Sequence, residues 1–86
     1  MYKVILHAQA REFFGDADRQ VARKLAHGFE ILEQTPRHHP NIKPLSGPLI
    51  GQHRLRVGDY RIVYLIDDPA GVVHVLKIAH RSEAYR

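Results

Sequence analysis

The sequence predicts an α+β fold: an antiparallel β-sheet with two N-terminal helices packed on one of its faces, in the order β-α-α-β-β-β. Three observations predict it. A short β-favouring run opens the chain, and a stripe of apolar residues at helical spacing follows. The second half then alternates apolar with polar residues between tight turns.

Lys3 to His7 holds Val4, Ile5 and Leu6 and reads as a buried first strand. Ala8 to Phe14 has helical character, with Phe13 and Phe14 available to the core, and Gly15-Asp16 breaks it. Asp16 then serves as the N-cap of a second helix in which Val21, Leu25, Phe29 and Leu32 recur at spacings of four, four and three. That stripe faces the sheet, while Arg19, Arg23, Lys24, Glu30 and Glu33 fall mainly on the wet side. Thr35 closes the helix, because a residue before proline avoids helical dihedrals.

Prolines at 36, 40, 44 and 48 make residues 35 to 48 an extended connector, with too many ring constraints for a regular element. Arg37, His38, His39 and Lys43 make it locally basic. The adjacent His38 and His39 lack a third ligand at helical or hairpin spacing, so the pair reads as loop solvation and no metal is expected.

The rest of the chain is organised around His53 to Tyr64, two short strands joined at Gly58-Asp59. Glycine at the first central position of a two-residue loop suits the turns that match strand twist. Val57 then lies opposite Tyr60, Leu55 opposite Ile62 and Arg56 opposite Arg61. By alternation Arg54, Arg56 and Arg61 emerge on one side, and His53, Leu55, Val57, Tyr60, Ile62 and Tyr64 on the other. Like charges directly opposite one another destabilise a sheet by up to about 1 kcal/mol, and a polyanion would offset this. The competing reading is the ordinary solvated face of a half-buried sheet.

A five-residue turn over residues 67 to 71 leads to a last strand, Val72 to Ala79, which pairs Ile66 with Val72, Ile62 with Leu76 and Arg61 with Lys77. Lys77 thereby joins the cationic face. Arg81 and Tyr85 follow on the same side if the chain stays extended, and Tyr85 beside arginines offers a stacking surface for a base. His53 and His74 point toward the helices as packing residues. A four-residue loop would reverse the parity of this strand.

Eighty-six residues make a single domain, 1–86, which buries roughly 60 to 65% of its unfolded surface. Without cysteine there are no disulfides and no cysteine-based zinc site, and no cofactor is expected. No apolar run approaches the ~20 residues that span a bilayer, and Met1 to Leu6 is too short a run for a signal peptide, so the cytoplasm is the expected compartment. Thirteen Lys and Arg against nine Asp and Glu give a formal charge of +4. That balance favours nucleic acid or an acidic protein as partner.

Three stretches carry a family resemblance: Lys43 to Gly47, Gly51 to Tyr64, and Ile78 to Arg86. Together they resemble the RelE/ParE superfamily of toxins from toxin–antitoxin operons, and its RelE branch in particular. The resemblance implies a fold like that of small microbial ribonucleases, with helices on one face of the sheet and the active site on the other. It implies metal-independent cleavage of mRNA in the ribosomal A site, the 2′-hydroxyl attacking the adjacent phosphate. It also implies a cognate antitoxin that wraps the toxin, with operator DNA bound chiefly through the antitoxin.

By match to the motif, Arg61 is the phosphate clamp, Arg81 a cation near the leaving group, and Tyr85 the aromatic that positions a base. Lys43, Arg54, Arg56 and Lys77 join them as RNA-binding cations. Arg54 and Arg56 stand where some members carry lysine. An arginine stays charged to a pH above about 12, so Arg56 binds phosphate but is a poor proton acceptor. An imidazole ordinarily titrates near about 6.5, and His80 beside Arg81 is the leading candidate for acid or base, with Tyr85 and Lys77 open. Two alternatives stand beside this reading: a ParE-like inhibitor of DNA gyrase, and a non-catalytic module that docks an antitoxin or operator DNA.

Overall fold

A computed structural model describes residues 1–84. The elements are β1 (Lys3–Leu6), α1 (Ala8–Asp16), α2 (Arg19–Gln34), β2 (Ile42–Pro44), a 3-10 turn (Gly47–Leu49), β3 (Gln52–Val57), β4 (Tyr60–Asp67), β5 (Val72–His80) and α3 (Arg81–Ala84). The strands form one sheet in the order β1-β5-β4-β3-β2. The β3-β4-β5 meander is antiparallel, as the sequence predicts, while β1 runs parallel to β5 and makes the sheet mixed. Among the described residues no helix is long and apolar enough to cross a membrane.

The core lies between the helices and one face of the sheet. Leu25 and Leu32 of α2 meet Leu55, Ile62, Tyr64, Val73, Val75 and Ile78, all fully buried. Each such aliphatic contributes about 1.5–3 kcal/mol relative to leaving it in water. Gly28 sits in the same stripe and is buried, letting the α2 backbone come close to the hairpin. A Cβ there would lie 2.9 Å from Ile62 Cδ1 and 2.9 Å from Val57 Cγ2. Tyr64 donates to the Pro36 carbonyl at 2.6 Å, tying the connector to the core. His53 stacks on Tyr64 with centroids 5.7 Å apart, the packing role expected of it.

Several boundaries depart from the sequence reading. Helix α1 runs on through Gly15 and Asp16, and Asp18, not Asp16, caps α2 by accepting from Val21 N at 2.9 Å. Two carboxylates two residues apart offered the same cap, and the one nearer the stripe won. Thr35 closes α2 as expected. The connector is not wholly irregular: Ile42–Pro44 adds a fifth strand on β3, tolerating proline because it lies at the sheet edge.

The last strand differs most. The turn has four residues, because Asp67 remains in β4 and its Oδ1 accepts from Ala70 N at 3.2 Å. Asp67 therefore pairs with Val72, Ile66 with Val73 and Leu65 with His74, one step from the expected register. His74 is consequently turned away from the helices and lies 2.9 Å from His7, Nδ1 to Nε2. A bulge beside Val63 and Tyr64 then absorbs one residue. Beyond it Val63 pairs with Lys77, Ile62 with Ile78 and Arg61 with Ala79, so Lys77 returns to the arginine side although it does not face Arg61. Past the end of β1, the Gln9 side-chain amide holds both backbone groups of Ile78 at 2.9 Å, steadying β5 just before its C-terminal end.

Candidate functional site

The β3-β4 hairpin has the expected register throughout, with Arg56 opposite Arg61 and Val57 opposite Tyr60. Gly58 has φ of 58°, and no residue other than glycine has positive φ in the described chain, so the turn is of the II′ type that follows strand twist. With Leu55 and Ile62 held in the core, alternation sends Arg54, Arg56 and Arg61 to the open face.

Arg81 reaches the same place by another route. The chain does not stay extended beyond β5 but turns into α3, and Arg81 N donates to Asp59 O at 2.7 Å. Arg56, Arg61 and Arg81 thus border one depression of about 290 Å³ with Gly58 and Ser82. On its other side Arg61 borders a second hollow of about 390 Å³, which Arg54 and Lys77 also line. Lys43 lies directly across from Arg54 and is exposed, extending the charge toward the sheet edge without lining either hollow.

The electrostatics match this crowding. Partial burial, and then the charges of Arg61 and Arg56, push the Arg54 guanidinium below its ordinary value. Arg54 Nη1 is steadied by the Asn41 carbonyl at 3.0 Å, which also accepts from Arg56 N at 3.0 Å. Asp59 approaches Arg81 at 3.8 Å with both side chains more than 60% exposed. So loose and wet a pair is worth less than about 1 kcal/mol and leaves Arg81 available to a phosphate.

His80 is placed differently. By strand alternation its ring leaves the arginine face and meets Tyr60 edge-on, with centroids 5.3 Å apart and planes at 86°. Its Nδ1 accepts from Ser82 N at 3.2 Å and lies 2.9 Å from Ser82 Oγ, so His80 acts as the N-cap of α3. Accepting a backbone N–H leaves the proton of the neutral ring on Nε2. His80 therefore touches the depression through Ser82, which lines it. Ser82 escaped the sequence reading; the signal was a polar residue two places after a histidine that could cap. Tyr85 lies outside the described residues.

The model of the family described as the ParE toxin of type II toxin–antitoxin systems matches residues 4–85. Toxin RelE of Mycobacterium tuberculosis is 52% identical over 44 residues, covering 51% of this chain and 45% of that protein. Toxin RelG of the same organism is 43% identical over 44 residues, covering 51% of each. The matched stretch thus spans about half the length of these curated relatives. Among solved structures, a RelBE toxin–antitoxin complex from M. tuberculosis superposes with a TM-score of 0.80 and 31% identity, over 93% of this chain and 98% of that one. The archaeal RelE–RelB complex of Pyrococcus horikoshii gives 0.79 and 26%, over 95% and 97%. The isolated E. coli RelE toxin gives 0.77 and 24%, over 99% and 92%, a likeness of fold. A family match across nearly the whole chain, joined to 31% identity over almost all of a mycobacterial toxin, places this protein in the RelE/ParE superfamily of type II toxin–antitoxin toxins.

Proposed function

We propose that this protein is an endoribonuclease that cuts messenger RNA held in the ribosomal A site and so inhibits translation. The observation that carries the reading is the convergence of Arg56, Arg61 and Arg81 on one depression outside the helix-packed face. Three guanidiniums bordering one depression suit an anionic ligand, and the planar fork of arginine matches a phosphate bidentately.

In this reading Arg61 grips the scissile phosphate and Arg56 shares the charge that develops on its oxygens. The 2′-hydroxyl attacks phosphorus, passing its proton to Ser82 Oγ, whose own proton moves to His80 Nδ1, 2.9 Å away. The bond to the 5′-oxygen breaks, Arg81 stabilises that oxygen, and it takes up a proton from water, while His80 afterwards returns its proton to solvent. A 2′,3′-cyclic phosphate and a free 5′-hydroxyl result. The guanidiniums supply the cations, so the scheme calls for no metal. Tyr85 is the aromatic that the resemblance sets against the substrate base, and Lys43, Arg54 and Lys77 guide the flanking strand.

The toxin–antitoxin complexes among the similar structures support a cognate antitoxin as partner, stabilising this small domain by mass action and binding operator DNA on behalf of the pair. In-vitro translation with primer extension tests the activity: wild-type protein yields cuts in codon register, and Arg61→Gln abolishes them. Gyrase poisoning is the second reading, favoured by the ParE description of the matching family. It predicts trapped supercoiling intermediates and intact message. If the protein is instead a silent docking module, overexpression without its partner leaves growth unchanged.

A further inference from the structure

The phosphate chemistry above leaves the larger hollow on the arginine face without a task. Its walls are aliphatic, from Leu45, Leu49, Val63 and Leu76, and its rim is cationic, from Arg54, Arg61 and Lys77. Two local irregularities build it. The bulge in β5 turns both Leu76 and Lys77 toward the open face. The 3-10 turn, which reverses at Gly47 and Gly51 with φ of 63° and 94°, holds Leu49 against the hollow while leaving it 46% exposed. Both devices keep aliphatic groups in a place that solvation alone would fill with polar ones.

We propose that this hollow seats a nucleobase one linkage away from the phosphate held at Arg61, and that Gln52 reads the edge of that base. The proposal rests on the ribonuclease reading. A volume of about 390 Å³ lies within the small-ligand range of about 300–1,000 Å³. Aliphatic walls suit the faces of a flat ring, and guanidinium planes such as those of Arg54 and Arg61 stack on bases. The positive rim selects an anionic ligand over a neutral one. Gln52 lines the same hollow, half-buried, and its amide offers both a donor and an acceptor. Because Arg61 borders both hollows, a nucleotide with its phosphate in one has its base within reach of the other.

The test uses the full chain and dinucleoside monophosphates made uncleavable by a 2′-deoxy sugar, with inorganic phosphate as the reference ligand. Methyl NMR of Leu49, Val63 and Leu76 reports occupancy of the hollow. A dinucleotide is expected to bind about tenfold more tightly than phosphate, equivalent to ~1.4 kcal/mol, and to move those methyls. Leu49→Ser, which removes one wall, and Val63→Met, which fills the hollow, are each expected to erase that advantage while leaving phosphate affinity unchanged. Gln52→Ala is expected to flatten differences among the four bases. The proposal falls if dinucleotides bind no better than phosphate, if both wall variants weaken phosphate equally, or if only an acidic peptide moves the methyls. Base-dependent binding without cleavage of ribosome-bound message would keep the subsite and refute the ribonuclease reading. Cleavage with the methyls unmoved would do the reverse.

Discussion

Arg56 and Arg61 are direct cross-strand neighbours on either side of a two-residue turn, and both border the same depression. Two positive charges so placed repel, so the pair should trade folding stability for anion binding. Arg56→Gln is expected to raise stability by up to about 1 kcal/mol in urea unfolding at low salt, with the gain shrinking as salt is added. Arg61→Gln is expected to slow cleavage by about 10² to 10³, measured on purified ribosomes.

The proton path runs through two residues, and their variants separate it from simple capping. His80→Ala and Ser82→Ala are each expected to slow cleavage, with the double variant no slower than the worse single one, because the two act as a unit. His80→Asn keeps a capping group for Ser82 N but cannot accept the proton. It should therefore restore stability in thermal melts without restoring cleavage.

Gly28 has no room for a side chain. Alanine would gain up to about 1 kcal/mol in helix propensity, but its methyl would press on Ile62 and Val57 at 2.9 Å, an overpacking that costs about 1–3 kcal/mol. Gly28→Ala is expected to destabilise the fold by about 1 kcal/mol in denaturant titration. The displaced residues flank Arg56 and Arg61 in sequence, so cleavage should fall as well.

Asp68 links the β4-β5 turn to the connector and the N-terminus. It accepts from Arg37 at 2.7 and 3.1 Å and from the Tyr2 hydroxyl at 2.6 Å. The Arg37 hydrogen bonds, and then that from Tyr2, hold its carboxyl below the ordinary carboxylate value. The unfolded chain therefore binds this proton more readily. The stabilisation is present above the unfolded value, ordinarily about 3.9, and is lost as pH falls through the folded one. Tyr2 works in the opposite sense: its bond to Asp68 raises its pKa, so that contribution is lost only as pH rises past about 10. Asp68→Asn is expected to flatten both limbs of the urea midpoint plotted against pH.

The hairpin was legible because everything that sets it is local. Glycine and aspartate define a two-residue turn, and strict alternation does the rest, so the register from Gln52 to Leu65 follows from spacing alone. The amphipathic face of α2 was legible for the same reason, although Gly28 within it was not, since close approach to a strand leaves no mark in a hydrophobic stripe. Strand β2 was hidden by prolines that an edge strand tolerates. In β5 the face of Lys77 came out as expected through two departures that cancel, a shorter turn and a bulge. His74, which lies between the two, did not. Both departures depend on side-chain capping and tertiary packing, which periodicity does not carry. Arg81 was placed by motif, and what brings it into the depression is its backbone bond to Asp59.

The extra residue in β5 acts as a phase correction. Val75 and Ile78 both face the core although they are three positions apart, because the bulge takes up Leu76 between the Tyr64–Val75 and Val63–Lys77 pairs. Deletion of Leu76 would therefore set Lys77 directly after Val75 and restore plain alternation, keeping Lys77 outward and Ile78 in the core while removing one wall of the hollow. Loss of that one residue should consequently spare the core and be felt on the open face alone, without any matching change in the turn.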